Sequence, residues 1–352
     1  MKKFLPLLLL TAALSSCLKP QKALTEHPEH QEVNAVYYWK TVFQLDSSAR
    51  QFMAEYDVKR IYLRLFDVTA DDGEWGAVPN ASIRVPEREF QLLKNEMDSM
   101  ETVPVVYITL DGLRAMTDRE GTLAKNIVNR VHNMVQYNSL PGVSELQLDC
   151  DWTESTEEQF FTLCDSVRKT IKELELPWRL SSTIRLHQLA KQAPPVDAGV
   201  LMVYNTGTYS DPDTKNSIIN IEDIMPYLKR LNSYPLHLDV AYPTYSWQLI
   251  FRDRKFAGIT SELNLTDTSK FEPRGENLFI AVEDIPYNDT MILKGDLIRL
   301  ESSDFKEIET VKREIEKCLS SRKYSNIIYH LDPENLKNYS SDEIKSIYAV
   351  GS

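Results

Sequence analysis

Two carboxylates stand one residue apart in Leu146-Gln147-Leu148-Asp149-Cys150-Asp151-Trp152. Alternate side chains of an extended strand share a face, so Asp149 and Asp151 point the same way. Two acids that close repel, which raises one pKa while the other group stays ionised. Such a pair suits acid–base chemistry or the orientation of a third group. The plainer alternative is that Asp149 only bonds buried hydroxyl or backbone groups. Acids inside a strand are costly without a purpose, so a working role for at least one is favoured. Aromatic, amide and basic residues recur at the ends of other apolar runs: Tyr38 and Trp39, Arg64 and Asp67, Arg185, Tyr204 and Asn205, then Tyr242, Tyr245 and Trp247. Aromatic faces cover the apolar faces of sugar rings while polar groups take the hydroxyls. Tyr38 and Tyr204 serve packing equally well, and Arg64 and Arg185 have an alternative use as partners of interior acids. His187 and His330 are isolated, with no zinc-type His spacing. Neither a glycine-rich nucleotide loop nor a serine elbow is present, so no metal and no cofactor is expected.

These residues need elements to hold them. Strand-like runs fall at Ala35–Tyr38, Arg60–Phe66, Val103–Thr109, Glu145–Asp151, Trp178–Ile184, Val200–Tyr204, Pro235–Ala241 and Asn326–Leu331. Helical periods lie between them: from Asp46 to Tyr56, Pro86 to Met100, Asp118 to Tyr137, a segment opening on a capping-box pattern at Ser155-Thr156-Glu157-Glu158, a short turn at Leu186–Ala190, Ile221–Leu231 and Phe305–Leu319. A last helix opens on the pattern Ser340-Ser341-Asp342-Glu343. Eight strand–helix units predict a (β/α)8 TIM barrel, an α/β fold whose working groups sit at the C-terminal strand ends. An open dinucleotide-binding sheet would carry a glycine-rich turn after the first strand, where this chain has Tyr38-Trp39-Lys40-Thr41. Residues 250–303 break the rhythm with short apolar runs and predict a small β insertion at the rim, between the seventh strand and its helix.

Asp149-Cys150-Asp151-Trp152 resembles the fourth-strand motif of glycoside hydrolase family 18, the chitinases and endo-N-acetylglucosaminidases, Asp-x-x-Asp-x-Asp-x-Glu. Met202-Val203-Tyr204-Asn205 resembles that family's sixth-strand Met-x-Tyr-Asp, and Tyr242-Pro243-Thr244-Tyr245-Ser246-Trp247 its aromatic seventh-strand segment. The chain is also similar to uncharacterised barrel-fold bacterial lipoproteins. The resemblance implies a glycan as partner, with Asp149 and Asp151 as catalytic residues. Tyr38, Trp39, Arg64, Asp67, Trp152, Arg185, Tyr204, Asn205, Tyr242, Tyr245 and Trp247 are the expected substrate contacts. The motif is incomplete: Leu146 stands where the family has its first Asp, Thr153 where it has its acid Glu, and Asn205 where it has Asp. Glu154 is one residue further on, which turns a strand side chain to the opposite face. Asp151 would have to be the acid, or Asp67, Asp111 or Asp332 would supply it. Three readings follow: a carboxylate glycoside hydrolase, a glycan-binding protein on a degenerate hydrolase barrel, and an envelope scaffold that keeps only the fold. The last leaves the acid pair and the loaded rim without a purpose.

The first residues read as a targeting segment. Lys2 and Lys3 precede an apolar run from Leu5 to Leu14, too short for a membrane span. Leu14-Ser15-Ser16-Cys17 resembles the bacterial lipobox, which implies a signal peptide over 1–16 and lipidation (palmitate included) at Cys17. Leu18 in place of Asp favours the outer membrane. Residues 17–32 form a polar tether, where His27 and His30 are read as solvated, and 33–352 form the barrel. The net charge of -12 without a basic run disfavours nucleic acid. Cys150, Cys164 and Cys318 are expected as buried thiols. Replacing Cys17 by Ser is expected to move the protein from the membrane to the soluble fraction, and persistent membrane association would remove the lipid assignment.

Overall fold

The computed structural model describes residues 31–89, 99–288 and 290–351. The signal segment and most of the tether, with Cys17, His27 and His30, lie outside the described residues. So does the stretch 90–98 of the helix expected from Pro86, of which the opening at residues 87–89 is seen.

Eight parallel strands close a barrel: β1 (Asn34–Tyr38), β2 (Val58–Ala70), β4 (Glu101–Ile108), β5 (Glu145–Asp149), β6 (Arg179–Arg185), β7 (Ala198–Met202), β8 (Leu238–Pro243) and β16 (Asn326–Tyr329). Closure is made by β1, which pairs with β2 on one side and β16 on the other, setting Tyr37 beside Tyr62 and Val36 beside Ile328. β2 outruns the barrel and folds back through β3 (Ala77–Asn80), which pairs antiparallel with it. Helices α1 (Ser47–Glu55), α2 (Leu110–Arg114), α3 (Glu120–Tyr137), α4 (Glu157–Glu173), α5 (Ile221–Leu231), α6 (Phe305–Cys318), α7 (Pro333–Leu336) and α8 (Ser341–Tyr348) fall between or after the strands. Their starts are chemical: Asp46, Asn220, Asp304 and Ser340 each accept a first-turn backbone N–H. Ser340 and Glu343 form the reciprocal capping box. The box expected at Ser155 does not form. Thr156 is the cap of α4, and its hydroxyl serves the backbone of Thr153 instead.

Strand alternation sorts the side chains into two separate apolar clusters. Ala35, Tyr37, Tyr62, Val105, Met202, Ala241 and Ile327 fill the interior. The alternate residues, among them Val36, Tyr38, Leu148, Leu201, Val240 and Ile328, pack against the helices. The interior is layered. At the N-terminal end, buried Arg60 pairs with Glu101 and Asp239, and Arg179 with Glu145. In the middle, Tyr37 stacks on Tyr62 with centroids 4.7 Å apart and donates its hydroxyl to Gln147 at 2.6 Å. These layers fill the lower and middle parts of the barrel interior, below its C-terminal mouth. Cys150 and Cys164 are buried thiols, while Cys318, in the last turn of α6, is only half-buried; all three are free.

The rim insertion begins at Ser246, earlier than the expected residue 250, because the chain enters β9 (Ser246–Arg252) almost directly from β8. With β10 (Lys255–Thr260), β11 (Phe271–Pro273), β12 (Leu278–Ala281) and β15 (Leu297–Ser302) it forms an antiparallel sheet in the order β10-β9-β15-β12-β11, and β13 (Ile285–Tyr287) pairs with β14 (Thr290–Ile292) as a hairpin. Ile250, Leu265, Phe271, Ile292 and Ile298 give it a core of its own. No helix among the described residues is long and apolar enough to cross a membrane.

Trp152 is fully buried in the outer layer, stacked on Phe160 at 6.2 Å and edge-on to Phe161 at 5.4 Å. Trp152→Ala is therefore expected to lower stability by about 3–5 kcal/mol in denaturant titration. A change under about 1 kcal/mol would contradict this placement.

Candidate functional site

The mouth of the barrel is organised by one guanidinium. Arg185, at the end of β6, donates from Nη2 to Asp149 Oδ1 at 3.0 Å, from Nε to Asp151 Oδ1, and from Nη1 to the Tyr204 hydroxyl at 3.2 Å. Thr183, one step deeper on the same strand, donates to Asp149 Oδ1 at 2.6 Å. Asp149 is sealed at 1% exposure, whereas the Asp151 side chain is 46% exposed. The two acids thus share a face, as alternation requires, but differ in access to water. Burial pushes the Asp149 carboxyl above its ordinary value, Arg185 opposes this, and Asp151 adds to it. Burial likewise works against the charge of Arg185, yet Asp149, Tyr204 and Asp151 hold it firmly cationic.

Aromatic rings wall the space around this cluster. Tyr204 stacks on Tyr329 with centroids 4.4 Å apart and lies under the Arg185 guanidinium at 5.4 Å. Trp39 meets Tyr107 at 6.4 Å and Tyr329 at 5.8 Å, while Arg64 covers its ring at 5.3 Å. Tyr245 sits edge-on to Tyr204 and donates its hydroxyl to Asn205 Oδ1 at 2.9 Å. Asn205 adopts a φ of 52°, a left-handed conformation that Asn tolerates better than most residues. Trp247 packs against Tyr245 at 5.5 Å and donates its indole N–H to Glu301 at 2.7 Å. Glu301 is buried and also takes the Ser217 hydroxyl and the Arg299 Nε–H. One carboxylate thereby ties the insertion, the loop after β7 and Trp247 together. Burial lifts the Tyr107 and Tyr204 hydroxyls to about 12, so neither phenol ionises near neutral pH.

Of the expected residues, the structure gathers Asp149, Asp151, Arg185, Tyr204, Asn205, Tyr245, Trp247, Trp39, Arg64 and Asp67 at the mouth. Arg64 and Asp67 form a two-point ion pair, with Nε to Oδ1 at 2.7 Å. Three expected contacts are corrected. Tyr38, Trp152 and Tyr242 belong to the outer layer between strands and helices and are at most 2% exposed. Tyr38 spends its hydroxyl on the Val42 carbonyl and the Gln44 N–H. Two of these residues sit one position from an interior residue, Tyr38 before Trp39 and Trp152 after Asp151, and the pleat turns them outward. Tyr107 and Tyr329 were missed. Their signal was the same alternation, counted from Val105 and Ile327, each two residues deeper on its strand.

The position of the family's acid offers no carboxylate. Thr153 bonds the Ser155 hydroxyl, and exposed Glu154 turns away to Lys191 at 2.6 Å. The other candidate acids have structural partners: Asp67 has Arg64, exposed Asp111 has Arg114 at 3.3 Å, and Asp332 caps α7 and lies 3.5 Å from Lys40. Guanidinium donates and never accepts, so the Arg185 contact uses Asp151 as an acceptor, not as a proton donor. What the mouth offers is a ring-lined cup with fixed hydrogen-bonding groups. No group of three His, Cys, Asp or Glu side chains among the described residues is placed to hold a metal.

No family model matches the chain, and no curated protein sequence does. Solved structures share its fold. A chitinase from Chromobacterium violaceum aligns with a TM-score of 0.55 at 11% identity, over 90% of this chain and 98% of its own. The Bacillus cereus spore cortex-lytic enzyme SleL aligns with a TM-score of 0.54 at 13% identity, over 91% and 75%. A catalytic domain of an Ostrinia furnacalis group II chitinase, solved with penta-N-acetylchitooctaose, aligns with a TM-score of 0.52 at 11% identity, over 90% and 96%. The chain thus shares the (β/α)8 barrel fold of these structures.

Removing Arg185 strands a buried acid. Arg185→Met is expected to cost about 3–5 kcal/mol by denaturant titration. Adding Asp149→Asn should recover much of the loss, and additivity of the two changes would show that they are not coupled.

Proposed function

We propose that this chain is an envelope protein, anchored in the outer membrane through lipid on Cys17, that binds a glycan at the barrel mouth without cleaving it. The observation that carries this reading is the Arg185 bridge. A glycosidase needs one carboxyl group that delivers a proton to the leaving oxygen and a second that acts as base or nucleophile. Here Asp149 is sealed, Asp151 is engaged by a cation, and Thr153 occupies the position of the family's acid. The rings that would hold a sugar remain: Trp39, Tyr107, Tyr204, Tyr245 and Tyr329 surround the same space. The likeness to chitinase structures supports an N-acetylglucosamine-containing oligosaccharide as the first probe. A hydrolase reading draws on the half-exposed carboxylate of Asp151. It requires Arg185 to release that group when substrate arrives.

Calorimetry on the mature chain with N-acetylchitohexaose separates the two. The expected result is saturable binding, no release of new reducing ends, and at least about tenfold weaker binding for Trp39→Ala, equivalent to about 1.4 kcal/mol. Turnover that disappears in Asp151→Asn would establish the hydrolase, and absence of binding would remove the glycan reading.

A further inference from the structure

Next to the aromatic cluster at the mouth lies a cavity of about 250 Å³, between the end of β8, the return from the insertion into α6, and the segment around α7. Its lining includes Tyr245, Ser302, Asp304, Phe305, Asn338 and Tyr339. All the elements around it meet at the C-terminal end of the barrel, the end that carries the cup. Tyr245 belongs to both spaces: its ring faces Tyr204 and Tyr329 in the cup, and its carbonyl accepts the Ser303 hydroxyl at 3.0 Å at the cavity wall.

The walls are fixed by the protein's own bonds. Tyr339 donates its hydroxyl to the Ser303 carbonyl at 2.7 Å, and the Ser246 hydroxyl donates to Asn335 Oδ1 at 3.2 Å. Several groups at the surface of the cavity are left over. Among the described residues, the Asn338 amide and the Ser302 hydroxyl make no hydrogen bond, and Asp304 uses only Oδ1 to cap α6. An amide, a hydroxyl and a carboxylate oxygen beside aromatic rings can both donate to and accept from neighbouring hydroxyls. None of the lining residues is cationic, while Asp304 and Glu343 are anionic, so an anionic ligand would be repelled.

We infer that this cavity is a second sugar subsite, which takes a neutral sugar unit of the same glycan whose neighbouring units lie in the cup, the chain crossing Tyr245. This rests on the reading of the cup as a glycan site. It makes binding depend on oligosaccharide length, because the second contact becomes intramolecular once the first is made.

The test compares N-acetylchitotriose and N-acetylchitohexaose by calorimetry on the mature chain, for the wild type, Ser302→Ala/Asn338→Ala and Ser302→Phe. The double variant removes two exposed groups without disturbing the core, and the phenylalanine fills the space. In the wild type the longer sugar is expected to bind about tenfold more tightly or better. In both variants that advantage should shrink to about twofold or less, with triose affinity unchanged. A preserved length advantage in both variants would overturn the subsite and leave the cup standing. Hexaose bound no more tightly than triose by the wild type would do the same. If neither sugar binds the wild type, the cup reading falls and the subsite with it.

Discussion

Two acids cannot face the inside of a barrel without something to balance them, and here the balance comes from the neighbouring strand. β5 and β6 are paired so that Glu145 lies beside Arg179 and Gln147 beside Ser181. The side-chain bonds continue this sequence upward, from Asp149 to Thr183 and from Asp151 to Arg185. The shared wall of the two strands is thus charged at both ends and neutral in the middle. At the lower end the Glu145–Arg179 pair closes the barrel. At the upper end Arg185 reaches back to Asp149 and across to Tyr204, which fixes the floor of the mouth. A cation so placed satisfies the buried acid, and it also engages one oxygen of the half-exposed Asp151.

The remaining features arrange themselves around that floor. Tyr204, which accepts from Arg185, carries the stack with Tyr329, and Trp39 and Tyr245 lean on Tyr329 in turn. The rim is set by a different buried charge. Glu301, paired with Arg299 and bonded to Trp247 and Ser217, fastens the insertion to the loop after β7. Arg299 also donates to the Asp211 and Tyr209 carbonyls, so a shift of the loop would leave buried guanidinium N–H groups without acceptors. Ring-lined mouths on this barrel serve many chemistries, and the fold alone does not choose among them. The choice rests on which groups can still move a proton.

Much of this was legible in the sequence, because its signals are periodic. Alternation located all eight strands and put Asp149 and Asp151 on one face, and polar caps marked the starts of α5 and α8. Parity failed at the strand ends. Tyr38, Trp152 and Tyr242 looked like site residues because they are aromatic and end a strand, yet a pleat assigns each to the helix side. Tyr107 and Tyr329 carry a weaker signal, because the apolar runs of their strands continue to Thr109 and Leu331 and hide where the mouth begins. The role of Glu301 had no local signal. It depends on three partners, one of them 84 residues away, that only the folded chain brings together.

The central claim is that Arg185 keeps its hold on Asp149 and Asp151 while a sugar occupies the cup. A crystal structure of the mature chain soaked with N-acetylchitohexaose tests it most directly. The account predicts an intact oligosaccharide lying against Trp39, Tyr204 and Tyr329 with both ion pairs of Arg185 in place. A cleaved sugar, with Asp151 released from Arg185 and within hydrogen-bonding distance of the former glycosidic oxygen, would contradict it.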